Sequence, residues 1–233
     1  MSDLSERIAK LSPEKRALLE QRMRSERAAP GGRADGIAVI GIGCRFPGGV
    51  DSPRTFWDLL IGGVDAISEV PPERWDVDAL YDPDATVRGK MATRWGGFLD
   101  NIDQFEPPFF ELTDREAQRM DPQQRLFMET TWSALDDAGL VAEELAGTAT
   151  GVFVAAHNMN SDYFVRQTYA LEDIDGYSAT GGSHSIVANR VSYWLDLQGP
   201  SMTVDTACSG SLVAAHLAVN SLRAGECDVA LAG

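Results

Sequence analysis

The sequence predicts an α/β fold with a mainly parallel sheet. Two observations lead there. Short apolar or β-branched runs at 37–42, 151–156, 201–205 and 228–233 alternate with stretches of helical spacing, and that alternation favours parallel strands joined by helices. The 233 residues are 44% hydrophobic, enough for one large domain or two small ones with a real core.

From the N-terminus, residues 3–27 read as helical in two pieces. Leu4, Ile8 and Leu11 share a face. Ser12 then serves as N-cap, with Pro13 at the first helical position and Glu14 in the first turn. Leu18, Leu19 and Met23 continue the stripe. So short a helix is marginal alone, so it is either a frayed, solvated helix or a docking and dimerising one. Residues 28–36, rich in Gly, Pro and Ala, form a linker. The expected division is a helical docking segment with its linker over 1–36 and the body of the chain over 37–233.

The run Ile37–Ile42 predicts a buried strand. Gly41 and Gly43 do not make a dinucleotide fingerprint, because Phe46 stands where the third glycine belongs and no helix opens there. Ser52 and Pro53 start a short helix through Trp57 and Leu60, stopped by Gly62 and Gly63. Residues 64–112 predict irregular structure anchored by aromatics such as Trp75, Trp95, Phe109 and Phe110. Thr113 and Glu116 fit a capping box, and Asp121 with Pro122 starts a second helix that ends at Gly139. Its expected inward residues are Phe127, Thr131, Ala134, Leu135 and Ala138. A buried strand follows at 151–156, and Ser185 is placed to cap a helix carrying Val187, Val191, Trp194 and Leu195.

The stretch Ser201–Leu212 carries the chemistry. Ser201–Asp205 reads as a strand, with Met202 and Val204 on one face. From Cys208 the spacing of Leu212, Ala215 or His216, Val219 and Leu222 is helical. A cysteine where a strand turns into a helix meets unpaired N–H groups and the positive end of the helix dipole. Both favour the thiolate, the nucleophilic form. Ala207, Ser209, Gly210 and Ser211 are small and leave room for a substrate arm. Asp205, at the strand end, is suited to accepting backbone hydrogen bonds rather than to acid catalysis. His216 lies two helical turns past Cys208, about 12 Å along the axis, too far for direct proton transfer. With His157 and His184 it reads as a structural or surface residue.

Composition excludes several classes. Net charge is −15, and residues 1–27, with seven Lys or Arg against five Asp or Glu, carry +2, which leaves −17 on the rest. So acidic a body does not suit nucleic acid. No eighteen-residue apolar run or secretory leader is present, so neither a membrane span nor export is expected. The cysteines, Cys44, Cys208 and Cys227, are odd in number and widely spaced, which fits neither a disulfide framework nor a zinc site. A reducing cytoplasm is the expected compartment, with no metal and no directly bound cofactor.

Asp205-Thr206-Ala207-Cys208-Ser209, followed by Ser211-Leu212, closely resembles the active-site segment of β-ketoacyl synthases of modular type I polyketide synthases. Cys44-Arg45-Phe46-Pro47 and Met120-Asp121-Pro122-Gln123-Gln124-Arg125-Leu126 resemble other segments of that family, in the right order, and Leu11–Leu19 resembles the linker that precedes ketosynthase domains. One departure is Gly210, where the usual segment has serine.

The resemblance, over about residues 35–233, implies the N-terminal half of a thiolase-type fold. It implies Cys208 as nucleophile and, through its backbone N–H, as one oxyanion donor, with Cys44 structural. The implied reaction is decarboxylative condensation. An acyl group from the phosphopantetheine arm of a carrier protein is held on the cysteine, and a malonyl-type extender on a second carrier protein attacks it, giving a β-ketoacyl thioester of polyketide or fatty acid biosynthesis. Implied partners are acyl carrier protein domains, an upstream megasynthase subunit met through residues 3–27, and a second copy in a full-length homodimer. The family's two catalytic histidines lie in the second half, so residues 1–233 alone are expected not to condense. The alternative is a non-catalytic docking or dimerisation piece of a megasynthase. A cysteine hydrolase lacks its local His/Asn pattern here.

Overall fold

Local capping chemistry sets the first helix of the computed structural model, which describes residues 36–157, 172 and 174–233. The expectations for residues 3–27 and the linker at 28–36 lie outside these residues, apart from Gly36. Helix α1 (Pro53–Gly62) begins where Ser52 and Thr55 cap each other's backbone and ends at Gly63, whose φ of 59° closes the left-handed cap.

The long stretch after it is mostly irregular. Strands β1 (Ser68–Glu69) and β2 (Trp95–Gly96) pair antiparallel around the one-turn helix α2 (Val77–Leu80). Its aromatics pack rather than line a ligand site. Phe105 stacks on Phe110, and Phe109 and Phe110 meet Trp194 edge-on or tilted.

Helix α3 (Asp114–Arg119) takes its cap from Thr113, whose hydroxyl accepts from the Glu116 N–H at 3.2 Å. The reciprocal half of the expected capping box goes elsewhere, because the Glu116 carboxylate accepts from Arg190 instead. Helix α4 (Pro122–Asp137) is capped by Asp121 and stopped at Gly139, φ 64°. Its buried stripe is Gln124, Met128, Thr131 and Leu135. Ala134 and Ala138, expected inward, instead face the chain around Gly41, and Thr130 faces Gly43. A side chain on either glycine would drive into the α4 backbone, so that segment lies directly on the helix.

Strand β3 (Thr150–Ala155) is buried and alternates its faces. Val152 and Val154 enter one core with Met120, Met128, Val187 and Val191. Phe153 enters a second with Ala214, Ala218 and Cys227. The one-turn helix α5 (Ser178–Gly182), helix α6 (Ile186–Trp194), strand β4 (Ser201–Val204), helix α7 (Gly210–Ala224) and strand β5 (Val229–Ala232) complete the described chain. Ser185 makes no side-chain cap for α6, its hydroxyl meeting Ser183 instead. The sheet is parallel with order β4-β3-β5. α6 and α4 cover one face and α7 the other, which is the α/β layering expected.

Two further expectations are corrected. Residues 37–42 form no strand, and Ile37, Val39, Ile40 and Ile42 are exposed. A β-branched run favours extended backbone, but a strand needs a hydrogen-bonding neighbour, and here the Ile42 N–H goes to the Asp137 carboxylate at 2.8 Å. Between this segment and α4, α7 and β5 runs an apolar groove of about 900 Å³. On α7 the buried face is Gly210, Ala214, Ala218 and Ser221, while Leu212 is 78% exposed. The helix lies so close to the sheet that small residues, not the largest apolar ones, face it. β5 is half-buried.

Asp175 ties α5 to α3. It accepts from the N–H groups of Tyr177 (2.9 Å) and Ser178 (3.1 Å), and from Arg115 (3.0 Å) and Arg119 (3.3 Å). Burial pushes its carboxyl up, but the Tyr177 N–H and the two guanidinium groups outweigh that and hold it at about 2, below its ordinary 3.8. A carboxylate depressed on folding stabilises above the unfolded pKa, and the contribution is lost as pH falls through the folded value. Acid unfolding of the wild type is therefore expected to steepen between about pH 4 and 2. Asp175→Asn flattens that limb in a circular-dichroism acid titration, and an unchanged limb would contradict this role.

Candidate active site

The register of β3 on β4 builds the site. Val154 stands opposite Thr203 and Ala155 opposite Val204, so the segments leaving both strands emerge side by side at the carboxyl edge of the sheet. Ligands bind outside such edges in open parallel sheets. Here β3 runs into Ala156 and His157, and β4 into Asp205 and the nucleophile turn. The Ala156 N–H still reaches the Val204 carbonyl, 3.2 Å away.

Cys208 sits in a single 3-10 turn, Ala207–Ser209, ahead of α7. The regular helix thus opens two residues later than its spacing suggested. Ala207 has φ of 50°, a left-handed conformation that a residue with a side chain adopts at a cost. Local bonds hold it there. The Asp205 carboxylate accepts from the Ala207 N–H at 3.1 Å, and the Ser209 hydroxyl donates to the Thr206 carbonyl at 2.8 Å. Cys208 is exposed, whereas Cys44 and Cys227 are only 7% and 2% exposed. Burial pushes the Cys44 thiol up, away from its reactive form.

The thiol faces a pocket of about 200 Å³, lined also by Gln123 from α4, Ala155 to His157 from the end of β3, and Asp205 and Thr206. The three histidines separate here. His216 is an exposed residue of α7 that pairs with Asn220 at 2.9 Å. His184 bonds the Ala156 carbonyl and braces the end of β3. His157, read from sequence as structural or surface, stands in the Cys208 pocket with its Nδ1 3.3 Å from both Asp205 oxygens. Only the strand register brings the two together, so no local signal could have shown it. Among the described residues no group of three or more His, Cys, Asp or Glu could hold a metal ion, and no helix is long and apolar enough to cross a membrane.

Gly210 has a packing reason. A Cβ there would lie 2.7 Å from the Ala155 Cβ. The methyl on β3 occupies the space a residue-210 side chain would need. Gly210→Ser is therefore expected to destabilise by about 1–3 kcal/mol, the usual cost of overpacking. Adding Ala155→Gly should restore most of the loss. Urea midpoints of the two variants check this, and a double variant no better than Gly210→Ser would refute the pairing.

The family model described as "Beta-ketoacyl synthase, N-terminal domain" matches residues 34–233. Among curated proteins, the chain is 49% identical over 234 residues to a phenolphthiocerol/phthiocerol polyketide synthase component of Mycobacterium tuberculosis (strain CDC 1551 / Oshkosh), an alignment covering 100% of this chain and 13% of that protein. It is 52% identical over 198 residues to polyketide synthase GfsB of Streptomyces halstedii, covering 84% of this chain and 4% of that one. Among solved structures, the oxazolomycin ketosynthase domain OzmH KS7 of Streptomyces albus JA3453 superposes with a TM-score of 0.76 at 42% identity, over 85% of this chain and 34% of that one. The ketosynthase from module 6 of the bacillaene synthase of Bacillus subtilis 168 gives 0.72 at 38% identity, over 85% and 31%. The chain thus spans a small part of the curated relatives and about a third of the solved domains.

Proposed function

The chain belongs to the β-ketoacyl synthase family, and from that premise we propose that Cys208 takes up an acyl group as the first half of a carbon–carbon bond-forming reaction. The observation that carries this reading is the exposed thiol on the strained Ala207 turn, at the carboxyl edge of the sheet and ahead of α7. The acyl group arrives as a thioester on the phosphopantetheine arm of a carrier protein. Cys208 Sγ attacks its carbonyl carbon, and negative charge builds on the oxygen. The Cys208 N–H is one donor for that oxygen, and backbone donors aimed at developing charge are a major source of rate. The C–S bond to the carrier then breaks, leaving the acyl group on Cys208.

In the whole enzyme a malonyl-type extender on a second carrier protein loses CO2, and its carbanion attacks the acyl-cysteine to give a β-ketoacyl thioester. Residues 1–233 hold the acylation step of this sequence and not the condensation. Residues 37–233 are the catalytic body. Residues 1–36 are a docking segment and linker, with an upstream subunit and a second copy of the protein as partners. The setting is cytoplasmic.

The test is to treat the protein with an acyl thioester of N-acetylcysteamine and map the label by peptide mass. Label on the Cys208 peptide supports the reading. Label on Cys44 or Cys227 alone removes it, and no label leaves only a docking role.

A further inference from the structure

We propose that His157 is the proton acceptor for the Cys208 thiol, and that Asp205 positions it for that task. This rests on the acyl-transfer reading of Cys208. The Asp205 carboxylate bonds the ring and the backbone just before the nucleophile. Through the His157 Nδ1, 3.3 Å away, it holds the ring, and through the Ala207 N–H, 3.1 Å away, it holds the residue that precedes the nucleophile. A carboxylate only accepts, so the shared proton sits on Nδ1 and the lone pair is left on Nε2. The ring and the thiol line one pocket of about 200 Å³. At ~30 Å³ per water that space holds a handful of waters, which carry the proton between the two groups.

Among the described residues, the charged and titratable groups near His157 come from three directions. Asp205 and Cys208 face it from the end of β4 and the turn. From α4, Gln123 donates to the His157 carbonyl at 3.4 Å and also to Asp121, which lies behind it. His184 bonds the neighbouring Ala156 carbonyl.

The step balances. As Cys208 Sγ bonds to the thioester carbon, its proton moves to His157 Nε2. As the C–S bond to the carrier's arm breaks, the departing thiolate takes that proton back from the imidazolium. No oxidant and no further reactant is needed. A thiol activated by its turn and by the α7 N-terminus alone would be indifferent to the ring.

The experiment compares wild type, His157→Gln and Asp205→Asn in the full chain, with two probes of Cys208. Iodoacetamide alkylation is followed over about pH 5.5 to 9.5, a range that brackets the imidazole and thiol titrations. Acylation by an acyl thioester of N-acetylcysteamine is followed by intact mass. His157→Gln retains an amide that can bond Asp205 but has no titrating nitrogen. It should slow acylation near pH 7 by about 10²-fold, the low end of general-base contributions, and remove the imidazole inflection from the alkylation profile. Asp205→Asn keeps an acceptor for the Ala207 N–H but lacks the charge that favours imidazolium. It should keep the inflection but slow acylation, and it remains informative if His157→Gln does not fold. His157→Gln matching wild type to within about twofold in both assays overturns the proposal. If wild type takes the acyl group and His157→Gln matches it, the pairing falls and the acyl-transfer reading stands. If the alkylation profile depends on His157 but no acyl group is taken, the pairing stands and the acyl-transfer reading falls.

Discussion

Cys208→Ala will abolish the acyl-enzyme and every turnover that depends on it. The expectation follows from exposure and backbone, not from the residue type alone. Cys208 is the exposed cysteine of the three, held on a turn whose left-handed Ala207 turns the next residue toward a pocket at the sheet edge. Cys44 and Cys227 are buried in separate parts of the core, and the Cys227 thiol already bonds Ser221 at 3.4 Å. Neither can take over without unfolding. Removal of the nucleophile costs on the order of 10⁶ in the best-studied serine enzyme, so a loss of more than about 10³ is the expected minimum here. Cys208→Ser preserves the shape and replaces the thiol with a far weaker nucleophile, so it should bind substrate yet accumulate almost no ester. Intact mass after acyl-thioester treatment gives the answer directly. An adduct of undiminished yield on Cys208→Ala would place the nucleophile elsewhere.

Arg190→Met will cost about 3–5 kcal/mol of stability, because it strands polar partners inside the protein. The Arg190 side chain is 8% exposed. Its Nε donates to Gln124 Oε1 at 2.9 Å, and another guanidinium nitrogen to Glu116 Oε1 at 2.6 Å. Gln124 in turn donates to the carbonyls of Gly181 (2.9 Å) and Thr180 (3.0 Å). One guanidinium thus joins α3, α4, α5 and α6. Methionine fills similar volume but leaves a carboxylate and an amide oxygen without their donor. Glu116 is 21% exposed and water can reach it in part, which places the expected loss near the lower end of the range. Arg190→Met with Glu116→Gln should recover part of the loss, since the stranded charge is gone. The urea midpoint at unchanged slope measures both. A change under about 1 kcal/mol in the single variant would show that the network contributes little.

What could be read from sequence was local. The caps at Ser52, Gly63, Asp121 and Gly139 follow from side chains bonding backbone a few residues away, and they stand where the sequence places them. Strands β3, β4 and β5 and the helix after Cys208 follow from short-range pattern too. Apart from Ser185, whose hydroxyl meets Ser183 instead of capping α6, the failures share the opposite property. The β-branched run at 37–42 has no partner strand among the described residues. Apolar scoring favoured Leu212 and Val219, but the closeness of α7 to the sheet selected Ala214 and Ala218. Glu116 left its capping box for an arginine 74 residues away, and His157 met Asp205 across 48. The serine missing at Gly210 is explained by one methyl group on a neighbouring strand.

The exposed apolar residues at 37–42 also bear on the protein's behaviour in bulk solution. Val39 is 79% exposed, and Ile37, Ile40 and Ile42 are each at least 41% exposed beside a wide apolar groove. Such a patch attracts its like at short range. A net charge of −15 opposes that contact at long range. The two forces respond differently to salt. Added electrolyte shortens the repulsion to a Debye length of about 10 Å at 0.1 M and leaves the hydrophobic attraction in place. The colloidal stability of this polypeptide is therefore a property of the buffer as much as of the fold: clear solutions at low ionic strength, and self-association as salt is raised.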